Sequence, residues 1–307
     1  MFTCCRRSAA GREFVKTPII LTTDRAEPKP SLARVRCCRM GNPISRTAYY
    51  TLGVRAADAA SSVPLCRDTF AERFMNDTAR QVWEEFKAFT PPNVSNAGRH
   101  AMIDEHLRRE LAKDPQLTVV IIGAGFDTRA FRLTGGRWFE FDEPEILTYK
   151  ETCLPAAQAP NPLTRVPIDF AAESLNDKLA IVGAPSNVHV VIEGVFMYLA
   201  HSQREQLLQT LKARFPHHTV YCDLMRKRFF EKYSRDLHEK IVGMGATFKD
   251  MVEEPERLFT DRGYQMMALD SVPLYCANRK DMGVPSFMVK YVLRMLRNGY
   301  LIGAFRT

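Results

Sequence analysis

Val119, Val120, Ile121 and Ile122 are four consecutive β-branched residues, and the run stops on Gly123-Ala124-Gly125. A strand with no polar face has to be covered on both sides, which calls for a parallel sheet with helices above and below it. Glycines at its end let the chain turn sharply and bring bare backbone against a ligand. Asp127 to Leu133 reads as the opening of a helix, with Asp127 or Thr128 in position to cap it. Strand, glycine turn and helix together make the nucleotide-binding edge of a doubly wound α/β domain.

Two chemistries remain open at that edge. The nicotinamide and flavin fingerprint needs a third glycine three residues after the second, and that place is Thr128. A site for S-adenosylmethionine needs no such glycine, because that ligand carries no pyrophosphate to seat on a helix N-terminus. A plain αβ turn without any ligand would also fit Gly-Ala-Gly.

The remaining pattern is that of alternating strands and helices. Arg137–Asp142 reads as a second strand ending in an acid, and Asp142 stands where ribose hydroxyls are received. Asp142 followed by Glu143-Pro144 also fits a simple helix start. Thr164–Phe170 reads as a third strand, Val188–Ile192 as a fourth closing on Glu193-Gly194, and Thr219–Leu224 as a fifth. Gln203–Phe215 reads as a helix that Ser202 could cap. Gly263–Leu269 suggests a sixth strand, and Asn298-Gly299 reads as a hairpin-type turn before a last strand, Tyr300–Phe305. Ahead of the first strand, apolar residues recur at helical spacing from Ile44, then from Asp68 to Phe89. Pro91-Pro92 and Asn96-Ala97-Gly98 suggest a loop before a helix from Arg99 to Lys113. The stretch from Arg226 to Phe259 is too long for a simple crossover and is expected to be a lid insertion between strands five and six.

Charge narrows the function classes. The 307 residues carry a formal net charge of +8. Residues 1–40 hold nine basic residues against three acids, so the rest of the chain is nearly neutral. A phosphate-tracking groove in the folded part is therefore not expected, and nor is a nucleic-acid partner. Those first residues are expected to form a disordered basic arm, either a flexible tail or an organelle targeting segment. No apolar run approaches the ~20 residues of a membrane span. None of the eight cysteines forms a Cys-x-x-Cys pair, and no metal site is expected. Without a secretory signal the expected location is cytoplasmic, or mitochondrial if the arm is a transit peptide.

Several segments together resemble one family. They are Ser45-Arg46-Thr47-Ala48, Arg99 followed by Asp104, Gly123-Ala124-Gly125-Phe126-Asp127-Thr128-Arg129, Phe141-Asp142, Ile168-Asp169 and Glu193-Gly194-Val195-Phe196-Met197-Tyr198-Leu199. In this order they resemble the leucine carboxyl methyltransferase family of S-adenosylmethionine-dependent O-methyltransferases, from about residue 44 to the end. The resemblance implies a Rossmann-like α/β fold over residues 41–307, with a seven-stranded methyltransferase sheet, an N-terminal helical cap and the lid insertion. It implies S-adenosyl-L-methionine as cofactor and a small-molecule acid, a protein C-terminus or a hydroxyl as methyl acceptor.

Roles follow residue by residue from that resemblance. Arg99 would pair bidentately with the cofactor's methionine carboxylate, over the backbone of Gly123, Ala124 and Gly125. Asp142 would accept the ribose hydroxyls, Asp169 and Phe170 would sit at the adenine, and Glu193 would face the amino group or sulfonium. Arg46 and Tyr198 are the candidate catalytic residues, Tyr198 orienting the acceptor unless it is a core tyrosine. Many bacterial members have Arg-Thr where this chain has Arg99-His100, so a neighbouring contact is expected to differ. His100, His106 and His201 are expected to be structural or on the surface. The competing readings are a nicotinamide-dependent oxidoreductase and a catalytically idle cofactor-binding protein.

Overall fold

The computed structural model describes residues 43–280 and 283–307, so the expected basic arm lies outside the described residues. Three helices precede the sheet: α1 (Pro43–Ala59), α2 (Asp77–Phe86) and α3 (Thr90–Lys113). The expected helix from Asp68 is broken, because Asn76 caps α2 by accepting from the Ala79 N–H at 2.8 Å. Helix α3 starts nine residues before the expected Arg99. Pro91 and Pro92 fall in its first turn, where no N–H is needed. Gly98, read as a loop residue, lies inside the helix, where a Cβ would come within 2.2 Å of Cys276 Sγ. Close packing, not a turn, is what that glycine serves.

The sheet has seven strands: β1 (Thr118–Ile122), β2 (Arg137–Asp142), β3 (Leu163–Pro167), β4 (Val188–Ile192), β5 (His218–Met225), β6 (Gln265–Ser271) and β7 (Tyr300–Arg306). Their order is β3-β2-β1-β4-β5-β7-β6, and only β7 runs antiparallel to its neighbours. Period-two alternation divides β1 between two cores. Val119 and Ile121 pack with Ile103 and Leu107 of α3. Val120 and Ile122 pack with Leu207, Leu208 and Leu211 on the opposite face. That division explains why the strand carries no polar face.

Between the strands lie α4 (Arg129–Arg132), α5 (Pro144–Cys153), α6 (Leu175–Lys178) and α7 (His201–Arg214). Helix α7 is capped at Ala200, not Ser202; Gln203 Oε1 accepts from the Ala200 N–H at 2.9 Å. The insertion after β5 contains α8 (Lys227–Phe229), a π-helical turn (Phe230–Ser234), α9 (Arg235–Gly243) and α10 (Arg257–Thr260). Helices α11 (Val272–Ala277), α12 (Ser286–Tyr291) and α13 (Arg294–Gly299) follow β6. Asn298-Gly299 therefore ends α13 and makes no hairpin. β6 and β7 are antiparallel neighbours, but helices join them. Packing explains the glycine again, since a Cβ at Gly299 would overlap Phe229.

Strand order reverses at β1 and β4, so the crevice beyond their carboxyl ends is where a ligand is received in a doubly wound sheet.

Candidate functional site

A cavity of about 910 Å³ opens at that crevice. The volume is near the upper end of the ~300–1,000 Å³ usual for small-molecule sites, which leaves room for two ligands. Arg99, Gly123, Ala124, Gly125, Asp142, Phe170, Glu193 and Tyr198 all line it. The fold thus brings together eight of the ten residues singled out by sequence. Arg46 is exposed on α1 and does not line the cavity. Asp169 does not line it either, because β3 stops at Pro167 and Asp169 turns back on its own loop. Its Oδ1 accepts from the Ala171 N–H at 2.8 Å and the Ala172 N–H at 3.2 Å.

The floor is backbone. Gly123 has φ of +70°, and a Cβ there would come within 2.5 Å of Val195 Cγ2. Gly125 has φ of +48° and donates its N–H to Asp142 Oδ2 at 2.5 Å. The Glu143 N–H donates to Asp142 Oδ1 at 2.7 Å. Asp142 therefore ties the glycine turn to the end of β2 and still has lone pairs to offer a hydroxyl. Burial pushes its carboxyl up, against the pull of those two backbone donors.

The helix after the glycines is a single turn, α4. Asp127 Oδ1 accepts the Arg129 N–H at 2.7 Å, while Thr128 makes no cap. Thr128 is fully buried and donates its hydroxyl to Asp68 Oδ1 at 2.6 Å. The third-glycine place is thus used to tie the turn to the N-terminal cap. No long helix dipole points at the glycines, which argues against a pyrophosphate seat.

Behind the floor lies a buried ion network. Arg129, fully buried, donates from Nε to Asp104 Oδ1 at 2.6 Å and from Nη1 to Asp127 Oδ2 at 2.5 Å. Its Nη2 donates to Glu193 Oε2 at 2.7 Å. Glu193 Oε1 accepts from Arg99 Nε at 3.0 Å. Burial alone would raise the Glu193 carboxyl, but His100, Arg129 and Arg99 overcome it and hold the group well below the usual carboxylate range. His100 is buried too, its Nε2 2.7 Å from Arg132 Nη2 and its Nδ1 3.1 Å from Glu193 Oε2. Ligand atoms of His100, Asp127 and Glu193 lie within 4.8 Å of one another, but the Arg129 guanidinium is bonded to all three and fills the place a cation would take.

Arg99 is held by residues the sequence reading did not single out. Its Nη1 donates to Asp223 Oδ2 at 3.1 Å and to Tyr300 Oη at 3.0 Å. Asp223 Oδ1 accepts the Gly194 N–H at 2.7 Å. With Nε and Nη1 engaged, only Nη2 is without a partner among the described residues. Arg99 can therefore offer a ligand one donor nitrogen, not the two-pronged pair expected. An acid near the carboxyl end of an apolar strand was the available signal for Asp223; Tyr300 gave none.

Tyr198 sits in a 3₁₀ turn (Phe196–Tyr198), hydrogen-bonded to Thr47 of α1. Its ring meets Phe248 edge-on at 5.2 Å. Burial pushes its phenol up to about 12, so it stays a neutral hydroxyl.

Comparison with known proteins follows the same lines. A family model described as leucine carboxyl methyltransferase matches residues 48–212. A Frankia alni protein provisionally named S-adenosyl-L-methionine-dependent methyltransferase is 32% identical over 187 residues, 54% of this chain and 63% of its own. A Mycobacterium bovis protein of the same provisional name is 29% identical over 190 residues, 55% of this chain and 62% of its own. The chain thus spans somewhat under two thirds of the length of these relatives. A solved structure of a duf574 family protein from Streptomyces avermitilis superposes with a TM-score of 0.56 at 11% identity, covering 86% of this chain and 99% of that one. A provisionally named methyltransferase from Thermobifida fusca gives 0.54 at 15%, covering 85% and 94%. These two show a shared fold.

Proposed function

The chain belongs to the leucine carboxyl methyltransferase family, and from that premise we propose that it transfers a methyl group from S-adenosyl-L-methionine to a carboxylate oxygen of its acceptor. The relatives' names supply the cofactor, and the residues present fit it. A glycine floor that no Cβ could share, an acid at the end of β2 and an arginine with one free nitrogen suit the parts of that molecule.

One observation favours a carboxylate over a hydroxyl acceptor. A hydroxyl would have to lose a proton, and the buried groups of the cavity wall are already committed: Asp127 to Arg129 and Asp142 to two backbone donors. His100 is the wall's only histidine, and both ring nitrogens are engaged. Glu193 is held far too acidic, and Tyr198 is a neutral phenol. An acceptor that arrives ionised needs none of these.

When bound, the cofactor supplies an electrophilic methyl on a sulfonium. The protein's part is then to position. Arg99 Nη2 holds the methionine carboxylate, and Asp142 accepts the ribose hydroxyls. Phe170 lies against the adenine. Glu193 fixes Arg99 and adds negative potential near the sulfonium. Tyr198 donates toward the acceptor and fixes its approach. Orientation of this kind supplies roughly 7–11 kcal/mol in well-aligned systems, so the absence of an acid–base pair is no obstacle.

Calorimetry with S-adenosylmethionine and with a nicotinamide dinucleotide tests the cofactor, and labelled methyl transfer tests activity. Heat from the former only, with base-labile label in the product as expected of an ester, supports the proposal. Base-stable label would indicate a hydroxyl acceptor. Cofactor binding with no transfer to any acid would favour the idle alternative.

A further inference from the structure

The methyltransferase reading leaves the far half of the cavity unassigned, and that half differs in chemistry from the cofactor half. Every acid on the wall lies between Asp127 and Glu193 in sequence; from Met197 onward the lining has none. The wall there is mixed, with Gln203, Gln206, Thr210 and Ser234 among its lining, but the insertion gives it an apolar group. Phe229, Leu237 and Ile241 come from the insertion after β5, with Met197, Phe248 and Leu296 beside them. Phe229, Leu237 and Ile241 are buried and belong to the larger hydrophobic core, so this face is built into the fold. Two cations stand on the same side, Lys232 and Lys249, both exposed. Neither has a carboxylate partner among the described residues. Lys232 leans on the Tyr233 ring at 5.3 Å. The turn carrying Lys232 and Tyr233 is π-helical, a distortion frequent at functional sites.

We propose that the acceptor is a small-molecule acid with an apolar body, its hydrocarbon seated against Phe229, Leu237 and Ile241. This deepens the methyltransferase proposal and rests on it. An extended peptide would bring amide N–H and C=O groups against Phe229, Leu237 and Ile241, which cannot pair them, and a hydrophilic acid would gain nothing from those side chains. Lys232 and Lys249 raise the local concentration of an anion at the entrance. The acceptor's carboxylate oxygen reaches past them to Tyr198 and forms a bond to the methyl carbon. The carbon–sulfur bond breaks, and its electron pair stays on sulfur. No proton moves, and the products are a neutral methyl ester and S-adenosylhomocysteine. The ester has lost the charge the lysines attract, which favours its departure.

The test uses the full chain with labelled S-adenosylmethionine and three acceptors: decanoate, succinate and a synthetic peptide ending in leucine. Calorimetry first establishes cofactor binding. The expected result is labelled methyl decanoate, with little transfer to succinate or peptide. Leu237→Trp, which fills the apolar space, should cut decanoate turnover about tenfold or more and leave cofactor affinity unchanged. Lys232→Gln with Lys249→Gln should raise the decanoate KM several-fold at low salt, an effect that fades as salt screens the charges. Transfer to the peptide or succinate in preference to decanoate would overturn the inference and leave the methyltransferase reading standing. Failure to bind S-adenosylmethionine at all would remove both.

Discussion

Arg129 Nη2 donates to Glu193 Oε2 at 2.7 Å, joining residues 64 positions apart. One stands in the turn after the β1 glycines and the other at the end of β4, the two strands between which the crevice opens. Arg129 thus fastens the two walls of the crevice from behind and does not itself line the cavity. Through Glu193 it is linked to Arg99, whose Nε donates to Glu193 Oε1 at 3.0 Å.

Removing Arg129 is expected to be severe. Asp104, Asp127 and Glu193 would each lose a buried counter-charge, and breaking a buried pair costs about 3–5 kcal/mol. Arg129→Ala should lower the thermal midpoint by roughly ten degrees. Scanning calorimetry reads it, and an unchanged midpoint would show that the network contributes no stability.

The sheet was legible because its central strands are mostly apolar and fully buried, as at Val119–Ile122 and, His189 apart, Val188–Ile192. Legibility fell where close packing overrides local propensity. Gly98 and Gly299 look like turn residues, yet each is small because a neighbouring side chain fills the place of its Cβ. In the candidate site, the glycine floor and Asp142 follow from the strand ends. The partners of Arg99 do not, since Asp223 and Tyr300 come from 124 and 201 positions away. Asp169 misled for a different reason: the third strand ends early, and the carboxylate satisfies its own turn.

The glycine floor makes a separable prediction. An alanine at 123 meets two penalties, a positive φ worth about 1–2 kcal/mol and the overlap with Val195 Cγ2. Val195→Ala removes only the second. The double variant Gly123→Ala with Val195→Ala should therefore recover part of the stability lost in Gly123→Ala. Additivity of the two single changes in a denaturant-unfolding cycle would show that the overlap is relieved some other way.

His189 offers a test of pH dependence. It lies in β4, fully buried, with neither ring nitrogen hydrogen-bonded among the described residues. Burial lowers its pKa from 6.5 to about 4, with Glu110 opposing and Arg306 adding to the shift. The unfolded chain therefore binds a proton at higher pH than the folded one. Its neutral form favours folding fully above about pH 6.5, and this contribution is lost as pH falls toward 4, by up to about 3 kcal/mol. His189→Leu should flatten stability between pH 4 and 6.5 and raise it modestly at neutral pH, since an unpaired buried polar ring is replaced by hydrocarbon. Unfolding curves across that range, unchanged in slope against pH, would remove His189 as the titrating group.

Arg99 and Tyr198 both line the cavity, yet their variants should fail differently. In the proposed binding mode Arg99 Nη2 would hold a carboxylate equally in ground and transition states, so Arg99→Ala should weaken S-adenosylmethionine binding. One hydrogen bond between charged groups is worth about 1.5–3 kcal/mol, or roughly 10- to 150-fold in affinity. That variant also leaves Glu193 and Asp223 short of a partner, so its midpoint should fall and binding is to be measured well below it. Tyr198→Phe removes one hydroxyl, which is hydrogen-bonded to Thr47. It should spare cofactor affinity and lower turnover, because orientation of the acceptor matters in the transferring geometry and not in cofactor binding. Titration calorimetry paired with initial rates separates the two. Wild-type cofactor affinity in Arg99→Ala would take that residue out of the cofactor site. Wild-type turnover in Tyr198→Phe would leave the phenol a core tyrosine whose hydroxyl only joins the turn to α1.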